Sequence, residues 1–254
     1  MPVTVTLRPT TRGALRVYPI DFARSLGVDA FVTDRFGGVS RAPYDTLNLA
    51  LHVGDDPEHV NENRRRVAHA CGVRPENLRT VHQVHGTAIV NAARALDTTH
   101  ADGLISSSTE TALAILVADC VPVLLIDASS SRICVVHAGW RGLAAGVLRS
   151  ALGHFDTARS VHAFVGPSIS QQHYQVGPDV AAHFVDIPGA LVEDGGDRSR
   201  LDLRRVTAFQ LNASGLLDEQ IVISQQTTEG GTPFFSDRQR RPCGRFALVA
   251  KRTS

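Results

Sequence analysis

Residues 113–128 read LAILVADCVPVLLIDA, the most apolar run of the chain, and with Ala112 before it the fold turns on how it is taken. Asp119 and Pro122 interrupt it, and it falls short of the roughly 20 apolar residues a membrane helix needs. Its first part, Ala112–Asp119, predicts a strand covered on both faces, because apolar side chains fill both phases of a two-residue repeat. Arg132–His137 predicts a second strand of this kind, and Thr80–Val90, rich in β-branched residues, a third. Working outward, Gly139–Gly142 opens a helix expected to run to about Leu152. Asp56–Cys71 predicts an amphipathic helix, with Pro57 and Glu58 near its start, Val60, Val67 and Ala68 on one side, and Gly72 at its end.

Residues 1–50 read as short strands and turns, with a tight turn at Gly37-Gly38. Further strands are expected at Val161–Val165, Gln220–Ser224 and Phe246–Lys251, and helices at Pro178–Val185 and Leu203–Ser214. Strands and helices alternate without a strict βαβ rhythm, which predicts an α/β fold with mixed sheets. No repeat, low-complexity tract or linker marks a boundary, so 1–254 is read as one domain.

The charge balance narrows the function classes. Lys plus Arg number 26 and Asp plus Glu 25, a net charge of +1, which gives no reason to expect nucleic acid or an anionic membrane as partner. The four cysteines, at 71, 120, 134 and 243, form no C-x-x-C pair, and so few in 254 residues argue against a disulfide scaffold. The opening MPVTVTLRPTTRG lacks the apolar run of a signal peptide, so a soluble cytoplasmic protein is expected.

Three segments carry chemistry. In VHQVHG (81–86), a strand reading puts His82 and His85 on opposite faces, with Gln83 sharing the face of His85. Alone, a strand-end histidine is more often a structural residue than a ligand. In ADCVP (118–122), Asp119 and Cys120 end an apolar strand; a free cysteine is usually a small buried hydrophobe, but a carboxylate beside it must be paired. In HAGWRG (137–142), a glycine turn leads into a helix start that suits an anion, with Arg141 adding a fixed positive charge. The plainer reading of that segment, a helix start anchored by the buried Trp140, is about as strong. Together the segments place one His, one Cys and one His at or near strand ends, where α/β folds commonly bind ligands. A His₂Cys set is a recognised zinc combination that leaves a fourth position open to water or substrate.

VHQVHG, ADGLI (101–105), LVADCVPVLL and VVHAGWRGL, in that order, resemble the signature of the YfiH family, also called the laccase-domain or multicopper polyphenol oxidoreductase family. The resemblance runs from about Phe31 to Arg245. It implies a layered α/β/β/α fold and zinc held by His85, Cys120 and His137. It also implies phosphorolysis of purine nucleosides, with adenosine deamination in some members. Leu47-Asn48-Leu49 and Asn63-Arg64-Arg65 match the family's upstream motif, where Arg64 resembles a phosphate or substrate contact and Asn48 a pocket residue. Without the resemblance, Asn48 reads as a turn residue and Arg64 as part of a solvated helix face. In the implied chemistry Cys120 binds metal as thiolate, Asp119 orients a ligand or moves a proton, Gln83 bonds the base, and Arg64, then Arg141, holds phosphate. The chain departs from the pattern at Gln172-His173-Tyr174, where many members carry cysteine, at Gln226-Thr227 in place of Cys-Thr, and at Asp237 in place of tyrosine. These changes leave the zinc ligands intact and bear on substrate preference. The basic run Arg238–Arg241 reads as a solvated loop near the pocket.

Three other readings compete. A copper phenol oxidase would be expected to repeat His-x-His pairs, and none of the 11 histidines forms one. A peptidoglycan-editing or cell-division partner, as some members are named, would need an exposed apolar patch. A metal-free Cys-His hydrolase would use Cys120 as nucleophile and His137 as base.

Overall fold

The computed structural model describes residues 1–253, and its frame is two sheets stacked face to face. Seven strands form one sheet, in the order Val3–Val5, Ile221–Ser224, Val161–Val165, Val121–Asp127, Ile133–Ala138, Gly103–Ser106, Ile89–Asn91. Six form the other, in the order Thr10–Arg12, Leu15–Pro19, Val28–Thr33, Phe246–Arg252, Ala112–Val117, Leu78–Arg79. Both are mixed: the seven-stranded sheet is antiparallel at its centre and parallel at both edges, and the six-stranded sheet is antiparallel except where Leu78–Arg79 runs parallel to Ala112–Val117. A small antiparallel sheet, Gln175–Val176, Ser199–Leu201 and Leu191–Glu193, sits apart.

The apolar strands explain the layering. Along Val121–Asp127, Val123 and Leu125 face helices while Leu124 and Ile126 face the other sheet, and Cys134 and Val136 alternate with Ile133 and Val135 in the same way. Along Ala112–Val117, Leu113, Ile115 and Val117 point between the sheets, and Ala112, Ala114 and Leu116 point outward. Apolar side chains in both phases thus supply two cores from one strand. Helix Pro57–Ala70 brings Val67 to the outer face of the six-stranded sheet. Leu203–Ala213, with the short helices at 140–152 and 178–181, covers the outer face of the seven-stranded sheet. The order is helix, sheet, sheet, helix, the α/β/β/α arrangement that the resemblance implies.

Local chemistry sets the helix limits. Asp56 accepts from the Glu58 N–H before Pro57, and Asp202 accepts from the Arg205 N–H, so each helix begins at a carboxylate cap. The helix expected from Gly139 to Leu152 is two, Trp140–Ala145 and Val147–Leu152, because Gly146 between them is left-handed (φ 89°). The helix expected at Pro178–Val185 stops at Ala181.

Two strand expectations change. Thr80–Val90 is not one strand. Only Leu78–Arg79 and Ile89–Asn91 pair, His82 makes a single bridge to His100, and the segment between is a loop. Conversely, Val121–Asp127 is a central strand although Asp119 and Pro122 read as interruptions. Ala118–Cys120 is the turn by which the chain leaves the six-stranded sheet and enters the seven-stranded one. Asp119 takes a left-handed backbone there (φ 88°), a conformation its short polar side chain tolerates better than most. No helix among the described residues is long and apolar enough to cross a membrane.

Candidate functional site

His85, Cys120 and His137 converge. Their ligand atoms all lie within 4.8 Å of one another, the only such group of His, Cys and acidic residues among the described residues. Cys120 Sγ is 4.0 Å from His85 Nε2, and the two imidazole centroids are 4.8 Å apart. His137 comes from strand Ile133–Ala138 and Cys120 from the turn between sheets, as the strand-end argument expects. His85 comes from a loop instead, with a left-handed backbone (φ 60°).

Asp102 builds that loop and was assigned no role by the sequence. Its carboxylate accepts the N–H groups of His85 (2.9 Å) and Gly86 (2.6 Å), and also Nδ1–H of His137 (2.8 Å). A carboxylate only accepts, so the His137 proton sits on Nδ1 and Nε2 is free to coordinate. Burial works against the Asp102 charge, but His137 and the two backbone donors outweigh it and hold the carboxyl below its ordinary value. Gly139 completes the site by its lack of a side chain: a Cβ there would lie 2.9 Å from both Cys120 Sγ and His85 Cδ2.

The electrostatics suit a metal. Burial opposes ionisation of Cys120, but the neighbouring His137 and His85 reverse the effect and bring its thiol down to about 6. For His137, burial opposes the imidazolium, while the Cys120 thiolate and Asp102 hold it up to about 9. Without metal, neutral pH therefore finds a thiolate–imidazolium pair. A divalent cation can displace the histidine proton and take the thiolate and two imidazoles as ligands. Two nitrogens and one sulfur, one imidazole already oriented by a carboxylate, fit such an ion.

The three residues form part of the wall of a cavity of about 350 Å³, within the size range of small-molecule sites. Gln83 and Arg141 line it, and His82 does not. The reason is not strand alternation. Gln83 reaches the cavity because its amide bridges the Leu116 backbone, donating to the carbonyl (2.7 Å) and accepting from the N–H (2.9 Å). Asp119 also lines the cavity, but its two carboxylate oxygens are engaged, one by the Thr228 hydroxyl (2.6 Å) and one by the Arg238 N–H (2.7 Å).

Two residues named from the resemblance lie off the cavity wall. Asn48 is fully buried and off the cavity wall; its amide bonds Ala50, Asp55 and the Arg245 N–H, so it is the turn residue its local sequence suggests. Arg64 is off the wall too, held by the Leu49 carbonyl (2.8 Å) and Asp97 (2.7 Å). The loop that carries Arg238–Arg241 borders the cavity, where Asp237 pairs with Arg241 (2.5 Å) and Arg245 (2.9 Å) and Arg238 packs on Tyr174.

Comparison with known proteins agrees with this architecture. Residues 29–253 match the family model described as multi-copper polyphenol oxidoreductase laccase. The chain is 36% identical to a purine nucleoside phosphorylase, YfiH, of Escherichia coli K12 over 228 residues, 87% of this chain and 92% of that one. It is 38% identical to a purine nucleoside phosphorylase of Mycobacterium tuberculosis H37Rv over 235 residues, 89% and 92% of the two chains. The crystal structure of YfiH from Bacillus licheniformis superposes with a TM-score of 0.88 at 28% identity, over 96% of this chain and 98% of that one. With the family model spanning nearly the whole fold, the chain belongs to the laccase-domain, or YfiH, family.

Proposed function

We propose that this chain is a zinc-dependent purine nucleoside phosphorylase, cleaving adenosine, inosine, guanosine and methylthioadenosine with phosphate to free base and sugar 1-phosphate. The observation that carries this reading is the His85–Cys120–His137 cluster, opening on a cavity whose wall bears several guanidiniums. The relatives named purine nucleoside phosphorylases, alike over about nine-tenths of both chains, support it. When bound, zinc would supply Lewis-acid polarisation of a substrate atom at its open position. The chain's residues do the rest. Asp102 fixes the tautomer and direction of His137. Asp119 is a positioning residue, tying the segments at Thr228 and Arg238 to the turn that carries Cys120. Gln83, with one amide N–H and one carbonyl lone pair still free, offers the base a donor and an acceptor. Hydrolytic deamination of adenosine, exchanging the amine for water with release of ammonia, is a second activity proposed for the same centre.

The decisive experiment incubates zinc-loaded protein with each nucleoside, with and without phosphate, and identifies the products. Free base and sugar phosphate should appear only when phosphate is present, and inosine from adenosine should appear in either case. No phosphorolysis of any purine nucleoside would sink the reading and promote the cell-wall one. The matching family's description favours copper and polyphenols as a second reading. Stoichiometric copper together with phenol-dependent oxygen uptake at about 1–1,000 per second would establish it instead.

A further inference from the structure

Four arginines line the cavity, and they differ in what already holds them. Arg245 is committed to Asp237 and to the carbonyls of Cys243 and Gly244, and Arg241 pairs with Asp237. Arg141 makes no hydrogen bond among the described residues. Its guanidinium carbon lies 4.4 Å from the Trp140 ring centroid, so the group is held in place by stacking alone. Arg238 stacks on Tyr174 at 4.9 Å and gives one nitrogen to the Gln175 carbonyl (2.9 Å), leaving its other donors free. Tyr174 connects the two. It lines the same cavity as both guanidiniums; burial and the charge at Cys120 raise its phenol, while Arg238 and Arg141 act against them. The phenol keeps its proton at neutral pH, and its hydroxyl makes no hydrogen bond within the described chain. The cavity's two carboxylates, Asp119 and Asp237, are each bonded at both oxygens.

We infer that Arg141, Arg238 and the Tyr174 hydroxyl form the subsite for the phosphate of the reaction, in place of Arg64. The inference rests on the phosphorolysis reading above. Two guanidiniums held over aromatic rings have surrendered much of their side-chain freedom before the ligand arrives, which lowers the cost of binding. Each can give a paired hydrogen bond to a phosphate oxyanion, which lysine cannot. The phenol adds a neutral donor to the same cavity wall. The same chemistry would accept free phosphate or the phosphate of a nucleotide; the reaction calls for free phosphate, and we assign the subsite to it.

The test titrates zinc-loaded protein with inorganic phosphate by calorimetry and, separately, measures the phosphate dependence of inosine cleavage. Arg141→Gln and Arg238→Gln should each weaken phosphate binding and raise its KM by about tenfold or more. Tyr174→Phe, which removes one neutral donor, should do so by about three- to tenfold. Arg238→Lys should recover only part of the loss, and Arg64→Gln should change neither quantity. Zinc content, circular dichroism and the KM for inosine should stay near wild type, which separates a subsite from a folding defect. Unchanged phosphate binding in both arginine variants would overturn the assignment, as would a loss confined to Arg64→Gln. So would inosine monophosphate binding far more tightly than phosphate through the same residues. Phosphate binding that depends on these residues in a protein that cleaves no nucleoside would instead overturn the functional reading and leave the subsite standing. Cleavage with a normal phosphate requirement in both arginine variants would do the reverse.

Discussion

A methyl group at position 139 would meet Cys120 Sγ and His85 Cδ2 at 2.9 Å, so Gly139 is required by its neighbours and not by its own ordinary backbone (φ −80°). Gly139→Ala should therefore lower bound zinc sharply while leaving the melting temperature of the metal-free protein close to wild type; equal zinc by elemental analysis would contradict this. Cys120→Ser should lose most of the metal with the fold intact, and His82→Ala should keep it. Asp102→Asn should weaken zinc by about 10- to 100-fold, the usual effect of removing a carboxylate behind a metal-ligating histidine. The proton inventory gives a further check. With Cys120 near 6 and His137 near 9, metal-free protein at pH 7.5 already holds a thiolate, and zinc must displace only the histidine proton. Calorimetry in buffers of different ionisation heat should find about one proton released per zinc at that pH and more as pH falls through about 6, where Cys120 takes up its proton, so affinity falls as pH falls and falls faster there. Part of this centre is legible from residue type, since Cys120 and His137 are polar groups out of place at the ends of apolar strands, while His85 stands on a loop. Asp102 is not, because nothing local in ADGLI says that its carboxylate will gather backbone from a loop 16 to 18 residues upstream.

At the level of elements, apolar runs are legible in the sequence and the side-chain bonds that end them are not. The β-branched composition of Thr80–Val90 suggests a strand, but the backbone partners there are side chains, Gln83 for Leu116 and Asp102 for His85 and Gly86. Such substitution of side chain for ladder leaves no trace in periodicity. Gln83→Ala removes two hydrogen bonds from Leu116 and should cost about 1–3 kcal/mol in urea unfolding; no loss would mean water replaces the amide without penalty. Pro122 misled in the other direction. It is the second residue of its strand, and its carbonyl still accepts the Gly166 N–H (2.9 Å) just beyond the end of the neighbouring Val161–Val165. Gly166 is the complement: a Cβ there would lie 2.8 Å from the Pro122 ring. Gly146, by contrast, would place a Cβ only at ordinary contact distance, 4.0 Å, from Arg149 Cζ but has a left-handed backbone, so Gly146→Ala should cost about 1–2 kcal/mol without touching zinc.

For the molecule as a whole, the alternation of Leu124 and Leu125 assigns one to each core. Truncating either to Ala should cost about 2–5 kcal/mol, since both are fully buried. The turn Ala118–Cys120 links these cores, because it is where the chain steps from one sheet to the other. One residue of the His-Cys-His cluster stands on that step, one on the seven-stranded sheet, and the third on a loop that Gln83 moors to the six-stranded sheet at Leu116. An ion held by all three is then a clasp between the stacked sheets. Sliding or parting of the sheets would have to break coordination, so metal should suppress the partial openings that let buried amides exchange with solvent. Zinc should slow deuterium uptake on both sides of the crossover, at Leu113–Val117 and at Val121–Leu125, while the outer strand Thr10–Arg12 exchanges as before. In such a protein, catalysis and sheet-to-sheet rigidity would rise and fall with the same ion.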